Sequence, residues 1–208
     1  TLPSSLRRID DKAFQSCRKL SKVNMEEGLE SIGDFAFREC YGLKSLCIPD
    51  SVVRLGEYSM PFNIQNITLP QGLEYLPRGV FHSCGSLQEV YIPNKVKSIG
   101  SYAFLRCENL VNVVFSSALE EINTSAFSGC ESLIHMSSLK GVKLVENDAF
   151  KGCVKLKTVL VERVDCELDY WAFDGCLGLE FMVLPDPLPL LSILKFPYQN
   201  EKPQRHKP

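Results

Sequence analysis

Nine cysteines are the side chains of this sequence best equipped for chemistry, and seven of them share one offset. Cys17, Cys40, Cys84, Cys107, Cys130, Cys153 and Cys176 each stand three residues after a phenylalanine: Phe14, Phe37, Phe81, Phe104, Phe127, Phe150 and Phe173. Such thiols can pair as disulfides, ligate zinc, attack as thiolates or pack as small apolar groups. Zinc draws its ligands from short local spacings, yet no Cys-x-x-Cys occurs and His82, His135 and His206 are scattered. Cys47 and Cys166, outside the offset, have no neighbouring histidine to activate them. No Gly-x-Ser-x-Gly, phosphate-binding loop or dinucleotide fingerprint is present. Paired carboxylates such as Asp10-Asp11, Glu26-Glu27 and Glu120-Glu121 fall in expected turns, where solvation accounts for them. The residues therefore point to no catalytic site, no cofactor and no metal.

What places the seven thiols is a repeat, the first thing to test in a chain of this kind. Phe14, Phe37, Met60, Phe81, Phe104, Phe127, Phe150 and Phe173 succeed one another at 23 residues, except for 21 between Met60 and Phe81. Leu20, Leu43, Leu87, Leu110, Leu133, Leu156 and Leu179 keep the same register, followed by alternating pairs such as Leu46 and Ile48 or Val90 and Ile92. The segment Leu-x-x-Val-x-Ile-Pro alternates with period two, which predicts a short strand with one buried face. Proline at Pro49, Pro70, Pro93 and Pro185 marks the strand exit, because it cannot donate to a ladder. A second apolar pair, as in Leu29-x-x-Ile32-Gly33, leads to a turn. The Ala-Phe-x-x-Cys stretch predicts one or two helical or 3-10 turns that plug phenylalanine into the core. One unit cannot bury these side chains alone, so stacked units must bury them against each other.

Stacking also decides the cysteine chemistry. Equivalent thiols in neighbouring units lie about 4.8 Å apart with parallel Cβ bonds. A disulfide needs Cβ atoms about 3.8 Å apart and turned toward each other. The column is expected to be buried free thiols, with Cys47 and Cys166 as surface thiols. All nine should titrate in denatured, unreduced protein.

Composition excludes several classes. With 208 residues, 45% of them hydrophobic and a net charge of −2, this is ordinary globular material. It shows no polybasic groove for nucleic acid and no apolar run of membrane-spanning length. The expected organisation is an array over residues 1–196, with a truncated first unit and a shortened third unit near 60–67. A flexible polar tail is expected over 197–208.

The pattern Cys-x-x-Leu-x-x-Val-x-Ile-Pro-x-x-Val-x-x-Ile-Gly-x-x-Ala-Phe resembles the leucine-rich repeats of BspA-like type, over nearly the whole chain. The resemblance implies a leucine-rich-repeat solenoid of the α/β class, a right-handed superhelix of about eight units with parallel strands on its concave face. It also implies a non-enzymatic adhesion or protein-binding module at the cell surface or outside the cell. Partners implied are host matrix proteins, host receptors or microbial surfaces. Other readings are a structural stalk or an intracellular scaffold, and a monomer is expected throughout. The outward strand positions then form the candidate face. Its second half is the more apolar: Glu89, Tyr91, Asn112, Val114, His135, Thr158, Leu160, Phe181 and Val183.

Overall fold

Fifteen strands of two or three residues make up the regular structure of the computed structural model, which describes residues 2–185. In chain order they are β1 (Arg8–Ile9), β2 (Ser31–Ile32), β3 (Ser45–Cys47), β4 (Arg54–Leu55), β5 (Asn66–Thr68), β6 (Tyr75–Leu76), β7 (Glu89–Tyr91) and β8 (Ser98–Ile99). There follow β9 (Asn112–Val114), β10 (Glu121–Ile122), β11 (His135–Met136), β12 (Leu144–Val145), β13 (Thr158–Leu160), β14 (Glu167–Leu168) and β15 (Phe181–Val183). The expected end of the array and the polar tail over 197–208 lie outside the described residues.

Every pairing is parallel, and the chain is a solenoid of about eight turns of some 23 residues. The alternating segments form one ladder, in the runs β3-β5, β7-β9-β11 and β13-β15. The second apolar pairs, expected to lead into turns, form another, in the runs β1-β2-β4 and β6-β8-β10-β12-β14. Register follows the repeat: Val90 stands beside Val113, and Ile99 beside Ile122.

The expected helical or 3-10 turns at Ala-Phe are absent among the described residues, and the reason is the direction of the backbone donors. Residues two before and two after the phenylalanine adopt left-handed φ, as at Phe35 (56°) and Glu39 (62°), or Tyr102 (61°) and Arg106 (58°). This turns alternate N–H groups along the solenoid axis instead of into the local turn. Tyr102, Phe104 and Arg106 donate to the carbonyls of Thr124, Ala126 and Ser128 in the next coil, at 3.0, 2.7 and 2.8 Å. The intervening residues close local turns, as Cys107 does onto Phe104. A left-handed non-glycine residue costs roughly 1–2 kcal/mol, offset here by a third set of bonds between coils. Gly79 occupies such a position (φ 60°), and a Cβ there would meet the Tyr58 ring at 2.2 Å.

Behind these turns the phenylalanines form two stacks. Phe14 lies on Phe37 at 5.3 Å, and Phe81, Phe104, Phe127, Phe150 and Phe173 follow one another at 4.9–5.2 Å. Met60, fully buried, separates them. The cysteine column runs alongside. Cys107, Cys130 and Cys153 each donate S–H to the phenylalanine carbonyl one coil back, at 3.1, 3.2 and 3.3 Å. All nine cysteines are free, but the expectation of a wholly buried column fails at its ends: Cys17 in the first coil is exposed, and Cys176 in the last is half-buried.

The irregular coils show where sequence breaks the pattern. Gly33, Gly100, Asn123, Glu146 and Asp169 donate N–H to the coil before, at 2.8–3.0 Å. The third coil carries Pro77 at this position. Proline has no donor, and β4 and β6 do not pair. In the shortened coil Ile64 takes over the leucine column, and the Pro61 carbonyl accepts the Cys84 thiol at 3.4 Å where other coils offer a phenylalanine carbonyl. In the sixth coil, Ser137 Oγ accepts the Phe115 N–H at 2.7 Å, where other coils offer a strand carbonyl. Leu139 enters the core one position late.

Candidate binding face

The period-two strands bury one row of side chains and present the rows on either side of it. The middle residues Val90, Val113 and Val159 are buried, while Tyr91, Phe181, Val183 and Val114 are 62, 55, 50 and 37% exposed. Glu89, His135 and Thr158 are also exposed, and Asn112 and Leu160 are half-buried. Pairing sets Tyr91 beside Val114, Leu160 beside Val183, and Thr158 beside Phe181. Asn112 lies between Glu89 and His135.

The structure therefore gathers the expected residues onto one face in two groups. Tyr91 and Val114 form the first, and Leu160, Phe181 and Val183 the second. Between them lies the sixth coil, where β11 and β13 do not pair and Ser137 turns its hydroxyl to the backbone. The Tyr91 hydroxyl reaches Glu89 at 3.4 Å, and Lys157 pairs with Glu180 at the edge of the second group. In the first half of the array the corresponding positions are polar: Ser45, Cys47, Asn66 and Thr68, all exposed.

Away from this face, the buried thiols of the column are held in their protonated form. Burial raises the pKa of Cys84, Cys107, Cys130 and Cys153, and burial, then the neighbouring Cys17, pushes Cys40 up to about 11. A protonated, inaccessible thiol is a poor nucleophile and a poor metal ligand. Cys166 corrects an expectation: it is buried, with its pKa pushed up to about 11 by burial and then Asp165. It fills the pocket that Leu119 and Val142 fill in earlier coils, reached one residue late after an irregular turn, so the 23-residue ruler missed it.

Two surfaces had no counterpart in the sequence reading. Arg38 lies over Phe35, Tyr58 and Phe62 at 5.3–5.6 Å, and Tyr58 meets His82 edge-on. Burial, then the Arg38 charge, lowers the His82 pKa. A cleft of about 480 Å³ opens where β4 and β6 fail to pair, between Arg54–Leu55–Gly56–Glu57 and Tyr75–Leu76–Pro77–Arg78. The one signal for it was a proline in a column of donors.

Comparison with known proteins gives the following. The model of the BspA-type leucine-rich-repeat region matches residues 1–62 and 58–180, in six copies. The crystal structure of a T. pallidum leucine-rich repeat protein superposes with a TM-score of 0.69 at 26% identity, covering 85% of this chain and 79% of that one. The pneumococcal vaccine antigen PcpA gives 0.56 at 23%, covering 88% of this chain and 50% of the other. A leucine-rich repeat protein from Eubacterium ventriosum gives 0.55 at 18%, covering 90% and 78%. These last two likenesses concern the fold. No curated protein sequence matches.

Proposed function

This chain belongs to the BspA-type leucine-rich-repeat family, and on that premise we propose that it is an adhesion module displayed at the cell surface. Solenoids of this family are generally binding scaffolds rather than enzymes and engage other proteins. The observation that carries the reading is the exposure of Tyr91, Phe181 and Val183 on a face that needs none of them for its core. Solvent-facing aromatic and branched residues grouped on rigid strands suit a protein partner. The polar row of Glu89, Asn112, His135 and Thr158 beside them supplies hydrogen-bonding groups for specificity. Host matrix proteins, host receptors and microbial surface proteins are the partner classes proposed.

The test is solid-phase binding to a panel of host matrix proteins and to intact host cells. Replacing Tyr91 and Phe181 by Ser and Leu160 by Asp is expected to weaken capture at least about tenfold, since buried aromatic anchors commonly carry more than 1 kcal/mol each. Circular dichroism and melting should stay unchanged. A matched variant of the polar half, Ser45→Asp with Thr68→Asp, should bind as the parent does. Undiminished capture by the well-folded triple variant would remove this face from the proposal. The nine free thiols, Cys17 and Cys47 exposed among them, favour a second reading, an interaction scaffold in a reducing compartment. Fractionation of the native source separates the two.

A further inference from the structure

We propose that the solenoid is built as two bodies, residues 2–73 and 74–185, which open against each other at the third coil before the whole array unfolds. Four observations place the seam. Neither ladder crosses it: β4 does not pair with β6, nor β5 with β7. The phenylalanine stack stops at Phe37 and resumes at Phe81. The cysteine column skips this coil, and the Cys84 thiol bonds the Pro61 carbonyl where other coils offer a phenylalanine carbonyl. A cleft stands open between the lips that Arg54–Leu55 and Tyr75–Leu76 form.

Among the described residues, one backbone hydrogen bond joins the two bodies, from the Tyr58 N–H to the Arg78 carbonyl at 3.2 Å. The Cys84 thiol on the Pro61 carbonyl adds a weak one. The equivalent division two coils on, between Leu119 and Glu120, is crossed by β8-β10 and β9-β11 and by the three bonds of Tyr102, Phe104 and Arg106. Side-chain packing closes the rest of the seam: Met60, Ile64, Leu69 and Leu73 are buried there, Tyr58 meets His82 edge-on, and the Arg78 side chain reaches Tyr58. Apolar packing is non-directional and tolerates rotation, whereas aligned hydrogen bonds do not. Stability in such arrays is a sum of unit and nearest-neighbour terms, so a poor interface divides it. Once the seam parts, the smaller body, with a stack of two rings against five, is the less stable and unfolds first. It carries the polar half of the outward face, and the larger body carries Tyr91 and all the apolar residues beyond it. The halves of the face can therefore reorient without disturbing either.

Native-state hydrogen exchange with mass spectrometry on the full chain, in low urea, reads this directly. Amides of Gly33, Phe35 and Phe37 are expected to exchange at least about tenfold faster than those of Asn123, Phe127 and Gly129. The change should come as a step between Tyr58 and Gly79. Pro77→Asn, which supplies the donor that Asn123 supplies in its own coil, should shrink the step. Asn123→Pro should create a second step, two coils later. One shared isotherm on both sides, or a smooth gradient rising from the N-terminal coil, would overturn the proposal. A step unchanged by Pro77→Asn would overturn the missing donor as its cause.

Discussion

Phe127→Ala is expected to destabilise the array by about 3–5 kcal/mol, the range found for burying an alanine in a phenylalanine site. Phe127 is fully buried and shares its two faces with Phe104 at 4.9 Å and Phe150 at 5.2 Å, while Phe115 meets it edge-on at 5.8 Å. Removing the ring deprives three neighbours of contact at once. Ala126, beside it and fully buried, is too short to fill the space the ring leaves. Set against a total of about 5–15 kcal/mol for a typical domain, this is a large fraction. The control is Phe14→Ala: Phe14 is half-buried and stacked on one side, so its loss should cost well under half as much. Urea unfolding of the two variants beside the parent measures both. Equal losses would show that the stack does not carry the stability assigned to it.

Raising the pH is expected to unfold the parent protein through its thiols. In the unfolded chain a cysteine ionises near pH 8.5. In the folded chain, burial holds Cys84, Cys107, Cys130 and Cys153 protonated well beyond that, and Cys40 to about 11. The folded pKa is raised, so the stabilisation is complete below the unfolded value and is lost as pH climbs toward the folded one. Each such thiol contributes a slope of about 1.4 kcal/mol per pH unit in that window. Several acting together should consume most of the stability between pH 9 and about 10.5. Urea midpoints at pH 7.5, 9 and 10 will record the fall. Cys107→Ala with Cys130→Ala should flatten it while lowering stability at neutral pH. A midpoint that holds steady from pH 7.5 to 10 would contradict the buried, protonated column.

The columns that stacking imposes were plain in the sequence, because a position buried between identical neighbours admits few residue types. Phe104, Cys107, Leu110 and Val113 recur one coil later as Phe127, Cys130, Leu133 and Met136, and all but Met136 are fully buried. The conformation of Ala-Phe-x-x-Cys was not legible. Three residues in a helical turn and three with alternating left-handed φ bury the same side chain, and Phe35, Tyr58 and Arg106 are not residues that announce φ above zero. Two-residue strands such as Ser98–Ile99 are too short to show a period, so the second ladder was not legible as strands. The outward rows of the face follow from alternation, which determines which side chains a strand presents. Their division by Ser137 was hidden, because it depends on a side-chain hydroxyl taking over a backbone role.

The bonds that replace the helical turns have an electrostatic consequence. In the two strand ladders successive peptide groups point alternately up and down the array, and their dipoles cancel. At the Ala-Phe turns they do not alternate: Phe81, Phe104, Phe127 and Phe150 all donate toward the C-terminal end. With roughly 3.5 D per peptide group, this edge of the solenoid is a macrodipole that no helix supplies, negative toward the first coil and positive toward the last. In the final described coil the forward-pointing N–H of Trp171 is taken by the Asp169 carboxylate at 2.9 Å, the role an N-cap plays for a helix.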